Sequence, residues 1–107
     1  MLKPAVARIW EGRTPASIAE DYAAYLHEHG VKKLRATQGN LGVQVFRRTR
    51  DGIAEFKTIS YWGSRDEIRA YAGDDIEKTH HLPKDAEYLL ELPPYVTHYD
   101  VLINEWS

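Results

Sequence analysis

The run LGVQVFRRTRDGIAEFKTISYW, residues 41–62, constrains the fold more than any other part of the chain. At its middle stands Asp51-Gly52, a pair favoured in two-residue hairpin turns because both central positions take positive φ. Both flanks alternate at period two. Leu41, Val43 and Val45 alternate with Gly42, Gln44 and Phe46 on the way in. Phe56, Thr58, Ser60 and Trp62 share a face opposite Ile53, Ile59 and Tyr61 on the way out. Two long antiparallel strands follow, and the remaining elements must pack on them.

Ahead of the hairpin, AVARIW (Ala5–Trp10) reads as a first strand, with Val6, Arg8 and Trp10 on one face. The pattern then turns helical. Thr14 suits an N-cap and Pro15 the first helical position. Ile18, Tyr22, Tyr25 and Leu26 form an apolar stripe, and Gly30 is the expected C-cap. After the hairpin, Ser64-Arg65-Asp66-Glu67 is a capping box opening a short helix that buries Ile68, Tyr71 and Ala72. Gly73 interrupts it, and Asp74 is expected to cap a further turn, DIEKTHH, which Pro83 closes. Alternation returns in YVTHYDVLI (Tyr95–Ile103), a last strand.

The order β-α-β-β-α-β defines an α+β, ferredoxin-like antiparallel sheet with its helices on one face. Two helices leave the other face bare, so a homodimer through the open sheet face is expected, the C-terminal segment crossing to the partner. The 107 residues suit one domain spanning 1–107. A net charge of −2 speaks against nucleic acid or an anionic membrane as partner. With no cysteine, thiolate metal sites, disulfides and thiol catalysis are excluded, and a reducing, cytoplasmic setting is expected. Apolar runs are too short for a membrane span, and MLKPAVARIW is not expected to be a signal peptide.

The segments ARIWEGRTP, GNLG, ISYWGSRDEIRAYAGDD and VTHYDV together resemble the antibiotic biosynthesis monooxygenase domain of the dimeric α+β barrel superfamily, over nearly the whole chain. The resemblance implies a small aromatic or quinone-type ligand. It implies one of three activities: a cofactor-independent monooxygenase, a non-catalytic ligand-binding module of the same fold, or a haem-binding and haem-degrading protein. The haem-degrading members combine an Asn on strand one, a Trp on the helix after strand three, and a His ten residues later that ligates iron. Here the Trp position holds Tyr71 and the His position holds His81, while Ala7 and Arg8 stand where the Asn would be. The cofactor-independent members place an Asn near the strand-three Trp. Here that strand carries Thr58 and Ser60, and the nearest Asn is Asn40.

Oxygen chemistry without a cofactor needs an apolar, aromatic-lined cavity, a base and a donor for the developing oxyanion. Trp10, Trp62, Tyr71 and Tyr99 could form walls, His80, His81 or His98 could be the base, and Arg8 could hold the anion. Each has a plainer role open to it. Trp62 could close the core at a strand end, Tyr71 continues the Ile68 stripe, and His98 could be a satisfied sheet histidine. No metal site is expected: on a helix His80 and His81 point about 100° apart and cannot chelate one ion.

Overall fold

The computed structural model describes residues 3–106. Its strands are β1 (Val6–Pro15), β2 (Asn40–Arg50), β3 (Ile53–Trp62) and β4 (Thr97–Asp100). They form one sheet in the order β2-β3-β1-β4, and all neighbours are antiparallel. This is the ferredoxin-like arrangement expected from the element order. The hairpin turns at Asp51 (φ 53°) and Gly52 (φ 74°), so both central residues take the expected positive φ. Along β3 the expected face is buried: Ala54, Phe56, Thr58, Ser60 and Trp62.

The first helical stretch departs from expectation at both ends. β1 runs on to Pro15, so Thr14 is a fully buried strand residue whose hydroxyl donates to the Pro15 carbonyl, and not an N-cap. Pro15 keeps an extended ψ of 142°, and the helix begins after it with one 3₁₀ turn, Ala16–Ile18. α1 (Ala19–Tyr25) follows, then a π-helical turn (Leu26–Val31) and α2 (Lys32–Ala36). Gly30 therefore does not stop the helix. It is buried within it, and a Cβ there would meet Leu26 Cδ1 at 3.0 Å and Leu82 Cδ1 at 3.3 Å. Close approach of Leu82 is what this position requires.

Ser64 caps α3 (Arg65–Ala72) as expected, its Oγ accepting from the Glu67 amide at 3.4 Å, and Ile68 is fully buried. Of the expected turn over residues 75–81 only the first part forms, the Lys78 amide donating to the Asp75 carbonyl at 3.2 Å, and no helix follows. That strap is irregular and runs beside the approach to β4, with a bridge between Lys78 and Tyr95. The Thr79 amide donates to the Pro94 carbonyl and the Val96 amide to the Glu77 carbonyl, so pairing with the far segment replaces local helical bonds. A four-residue helix, α4 (Asp85–Tyr88), was not foreseen. β4 is shorter than the expected Tyr95–Ile103: its far end stops where β1 begins at Val6, and Tyr95 and Val96 at its near end pair with the strap instead.

All helices lie on one face. Two buried clusters fill the space beneath them: Tyr22, Leu26, Phe56, Leu82 and Leu89 in one, and Val6, Leu34, Trp62 and Ile68 in the other. The other sheet face is open and carries Ile9, Phe46, Ile59, Tyr61 and Tyr99. Among the described residues no helix is long and apolar enough to cross a membrane.

Candidate functional site

Between the two clusters lies a part-open cavity of about 50 Å³. Trp10, Tyr22, Leu26, Leu34, Tyr71, Leu82 and Val96 give it an apolar lining, broken by Arg8, Thr58, Ser60, His80 and Asp85. The strand register sets the sheet wall: Arg8 pairs across to Ser60 on β3, and Trp10 to Thr58. Trp10 lies back over Gly12, where a Cβ would come within 2.4 Å of the indole.

Arg8 is the central cation and is 4% exposed. Its Nη1 donates to the Ile76 carbonyl and, at 3.1 Å, to His98 Nε2, while Nη2 donates to the Lys78 carbonyl at 3.1 Å. The guanidinium carbon sits 5.9 Å from the centre of the Tyr71 ring. Burial pushes the Arg8 pKa below its usual value, with Tyr71 and Glu77 opposing. A guanidinium still stays charged in this setting. Arg8 thus ties the strap over the cavity to the sheet.

Both nearby imidazoles are held neutral. His98 Nε2 accepts from Arg8, which leaves its proton on Nδ1, 3.6 Å from Glu77 Oε1. Burial, and then Arg8, push the His98 pKa down, with Glu77 opposing. His80 Nε2 lies 2.7 Å from Lys33 Nζ, and burial followed by Lys33 pushes its pKa down too. Each Nε2 lone pair already faces a cation, so neither ring offers a free base to the cavity. The half-buried Tyr71 phenol is pushed up by desolvation, with Arg8 opposing.

The acceptor left to the cavity is Asp85, 3% exposed. Its Oδ1 accepts from the Tyr22 hydroxyl at 3.1 Å and its Oδ2 from the Leu82 amide at 3.0 Å. Burial first, then the Asp85 charge, raise the Tyr22 phenol pKa. Sequence reading missed Asp85, since an Asp two residues after Pro83 looks like an ordinary helix start. It missed Tyr22 as a polar partner because Tyr22 sits on the apolar stripe.

The cavity therefore gathers four of the residues expected from the sequence: Arg8, Trp10, Tyr71 and His80. The other four lie elsewhere. His81 is exposed: the strap is not helical there, and it is Leu82 that is buried. Trp62 is fully buried in the second cluster beside Val6, Leu34 and Ile68, its indole donating to Ser60 Oγ at 2.9 Å. His98 stands behind Arg8 and is not part of the lining. Tyr99 is 58% exposed on the open sheet face, across the sheet from the cavity.

Among the described residues no group of three or more His, Asp or Glu could hold a metal ion. A haem does not fit either. His81, at the expected iron-ligand position, is exposed and is not part of the cavity lining, and β1 carries no Asn.

No family model matches the sequence, and no curated protein matches it. Solved structures do match its fold. A Nitrosomonas europaea protein of unknown function is 12% identical over 100% of this chain and 98% of its own, with a TM-score of 0.70. A Bacillus cereus protein assigned to the antibiotic biosynthesis monooxygenases is 12% identical over 98% and 100%, with a TM-score of 0.65. A haem-degrader from Mycobacterium tuberculosis with two haems in its active site is 15% identical over 94% and 99%, at 0.64. A Streptomyces coelicolor monooxygenase in complex with nanaomycin D is 14% identical over 97% and 93%, at 0.63. The chain has the fold of the antibiotic biosynthesis monooxygenase-type proteins.

Proposed function

We propose that the protein is a monooxygenase-type oxidoreductase acting, without a bound cofactor, on a small hydroxylated aromatic or quinol in the cavity between helices and sheet. One observation carries this reading: a mostly apolar, aromatic-walled cavity under the helices holds a buried cation, Arg8, together with a buried acceptor, Asp85. A substrate that itself reduces dioxygen needs such a pairing. It loses a proton to an acceptor, and the resulting anion is stabilised by fixed positive charge in a dry site. One oxygen atom then bonds to carbon. The other leaves as water with two hydrogens, one from that carbon and one from the substrate hydroxyl, and the ring becomes a quinone. Trp10 and Tyr71 are the walls in this scheme and Arg8 is the anion holder.

At 50 Å³ the cavity is well below the roughly 300 Å³ at which ligand sites begin, so a ring enters by displacing His80 and the part of the strap that carries it. The test is oxygen consumption with a panel of polycyclic phenols and hydroquinones, beside their binding in the absence of oxygen. Oxygen uptake above the buffer rate for at least one compound, diminished in Arg8→Gln, is the expected result. Binding without uptake for every compound would replace this reading with the non-catalytic binding module. The tie of both imidazoles to cations favours that second reading over a histidine-based one.

The homodimer belongs to the same proposal. Phe46 (49% exposed), Tyr99 and Trp106 (64% exposed) lie on or beside the open sheet face, and Trp106 meets Tyr61 edge-on at 5.6 Å. Exposed aromatics in one patch mark a surface that a partner covers. Sedimentation at micromolar concentration is expected to show twice the chain mass of 12.3 kDa, and Phe46→Lys to weaken that association. A species of chain mass at every concentration would overturn the dimer. A cysteine-free chain suits a cytoplasmic setting, for which cell fractionation is the check.

A further inference from the structure

We infer that Thr58, Arg8 and Asp85 form a donor–acceptor subsite inside the cavity that takes a ring bearing a hydroxyl beside a second oxygen. The inference rests on the cavity being the ligand site, as proposed above, and specifies which ligand atoms it holds and with which residues.

The starting point is Thr58. It is 6% exposed, and its Oγ1 has no hydrogen-bond partner among the described residues. More than about nine in ten buried polar groups are paired. An orphaned buried hydroxyl is destabilising, and a valine would fill nearly the same space without that cost. Thr58 borders the cavity, so the partner it lacks can be supplied there. The cavity has room for about two waters at roughly 30 Å³ each, or for two ligand oxygens in their place.

The surrounding groups fix what those two oxygens must be. Arg8 has five N–H donors. Three are engaged by Ile76, Lys78 and His98, which leaves two. Ser60, 2% exposed, is already an acceptor for Trp62 and neighbours Arg8 across the strands. The sheet wall therefore offers donors. Asp85 provides the acceptor wall: its two oxygens take one hydrogen bond each from Tyr22 and Leu82, and each keeps a further lone pair. A ligand matches both walls when it gives a hydroxyl proton to Asp85 and presents an oxygen to Arg8 and Thr58. A vicinal diol or a hydroxyketone on a ring does both. A methyl ether cannot donate to Asp85, and a bare ring satisfies neither wall.

The probes are a vicinal naphthalenediol and its dimethyl ether, bound without oxygen and followed by tryptophan fluorescence. Binding is read apart from turnover, so a failure of the monooxygenase reading leaves this result standing, and the reverse. Wild-type protein is expected to prefer the diol by about tenfold or more, one to two hydrogen bonds' worth. Thr58→Val and Asp85→Asn should each cut the preference to about threefold or less while ether affinity stays within a factor of two. Thr58→Val keeps the side-chain shape, so it remains informative where Asp85→Asn loses the fold, which a urea midpoint reports. No preference in the wild type, no binding of either probe, or a preference intact in the folded variants would each overturn the subsite.

Discussion

Trp62→Ala is expected to lower the unfolding free energy by about 3–5 kcal/mol, the range for deleting a buried large aromatic. The indole is fully buried where β3 ends, facing Val6 across the strands and packed against Leu34 of α2 and Ile68 of α3. Its removal opens a void under two helices and a strand at once, and leaves Ser60 Oγ without its donor. A domain of this size has about 5–15 kcal/mol in all, so the variant sits near the edge of folding. Urea denaturation gives the loss directly. Trp62→Phe separates packing from ligand contact: it should lose roughly 1–2 kcal/mol of stability and no ligand affinity, since the residue is not part of the cavity lining. A Trp62→Ala loss below about 1 kcal/mol, or a stable Trp62→Phe that no longer binds ligand, would return Trp62 to the wall of the site.

The parts of this fold legible in the sequence are those decided locally. Asp51-Gly52 turns the hairpin because only its own φ angles matter there. The β3 alternation names its buried face, and Ser64 caps its helix from three residues away. Where a distant partner decides, local signals mislead. Gly30 carries a stop signal, yet the helix passes through it because Leu82 packs against it from 52 residues further on. The strap after Gly73 carries helical signals, yet its amides and carbonyls pair with Pro94 and Val96, and it is His80, not His81, that borders the cavity. Arg8 could be named from strand alternation as a residue facing the helices. That it would hold two strap carbonyls, 68 and 70 residues away, could not. Asp85 was invisible for the same reason, since its partner Tyr22 lies 63 residues earlier.

Arg8→Met is expected to cost about 2–4 kcal/mol, close to the Trp62 effect but by a different route. Methionine fills much of the volume, so the loss is electrostatic and not a cavity term. The carbonyls of Ile76 and Lys78 and the Nε2 of His98 lose their shared donor together. The strap is part-exposed, so water recovers some of the loss at the carbonyls, which keeps the figure below that for three fully buried orphans. Arg8→Lys restores a charge without the planar fork and should recover only part of it. The pH profile identifies the cause. In the wild type the folded-state pKa of His98 is depressed below 6.5, so His98 contributes stability above that pH which is lost as pH falls through the depressed value. Burial is the larger cause and persists in Arg8→Met, but the cation is gone. The His98 pKa should therefore move back part of the way, and the acid-side loss should shrink. Histidine NMR titration with urea denaturation across that range measures both. An Arg8→Met protein with wild-type stability and an unmoved His98 would mean that the strap is held by its own pairing with Pro94 and Val96, and that Arg8 is free for the ligand from the start.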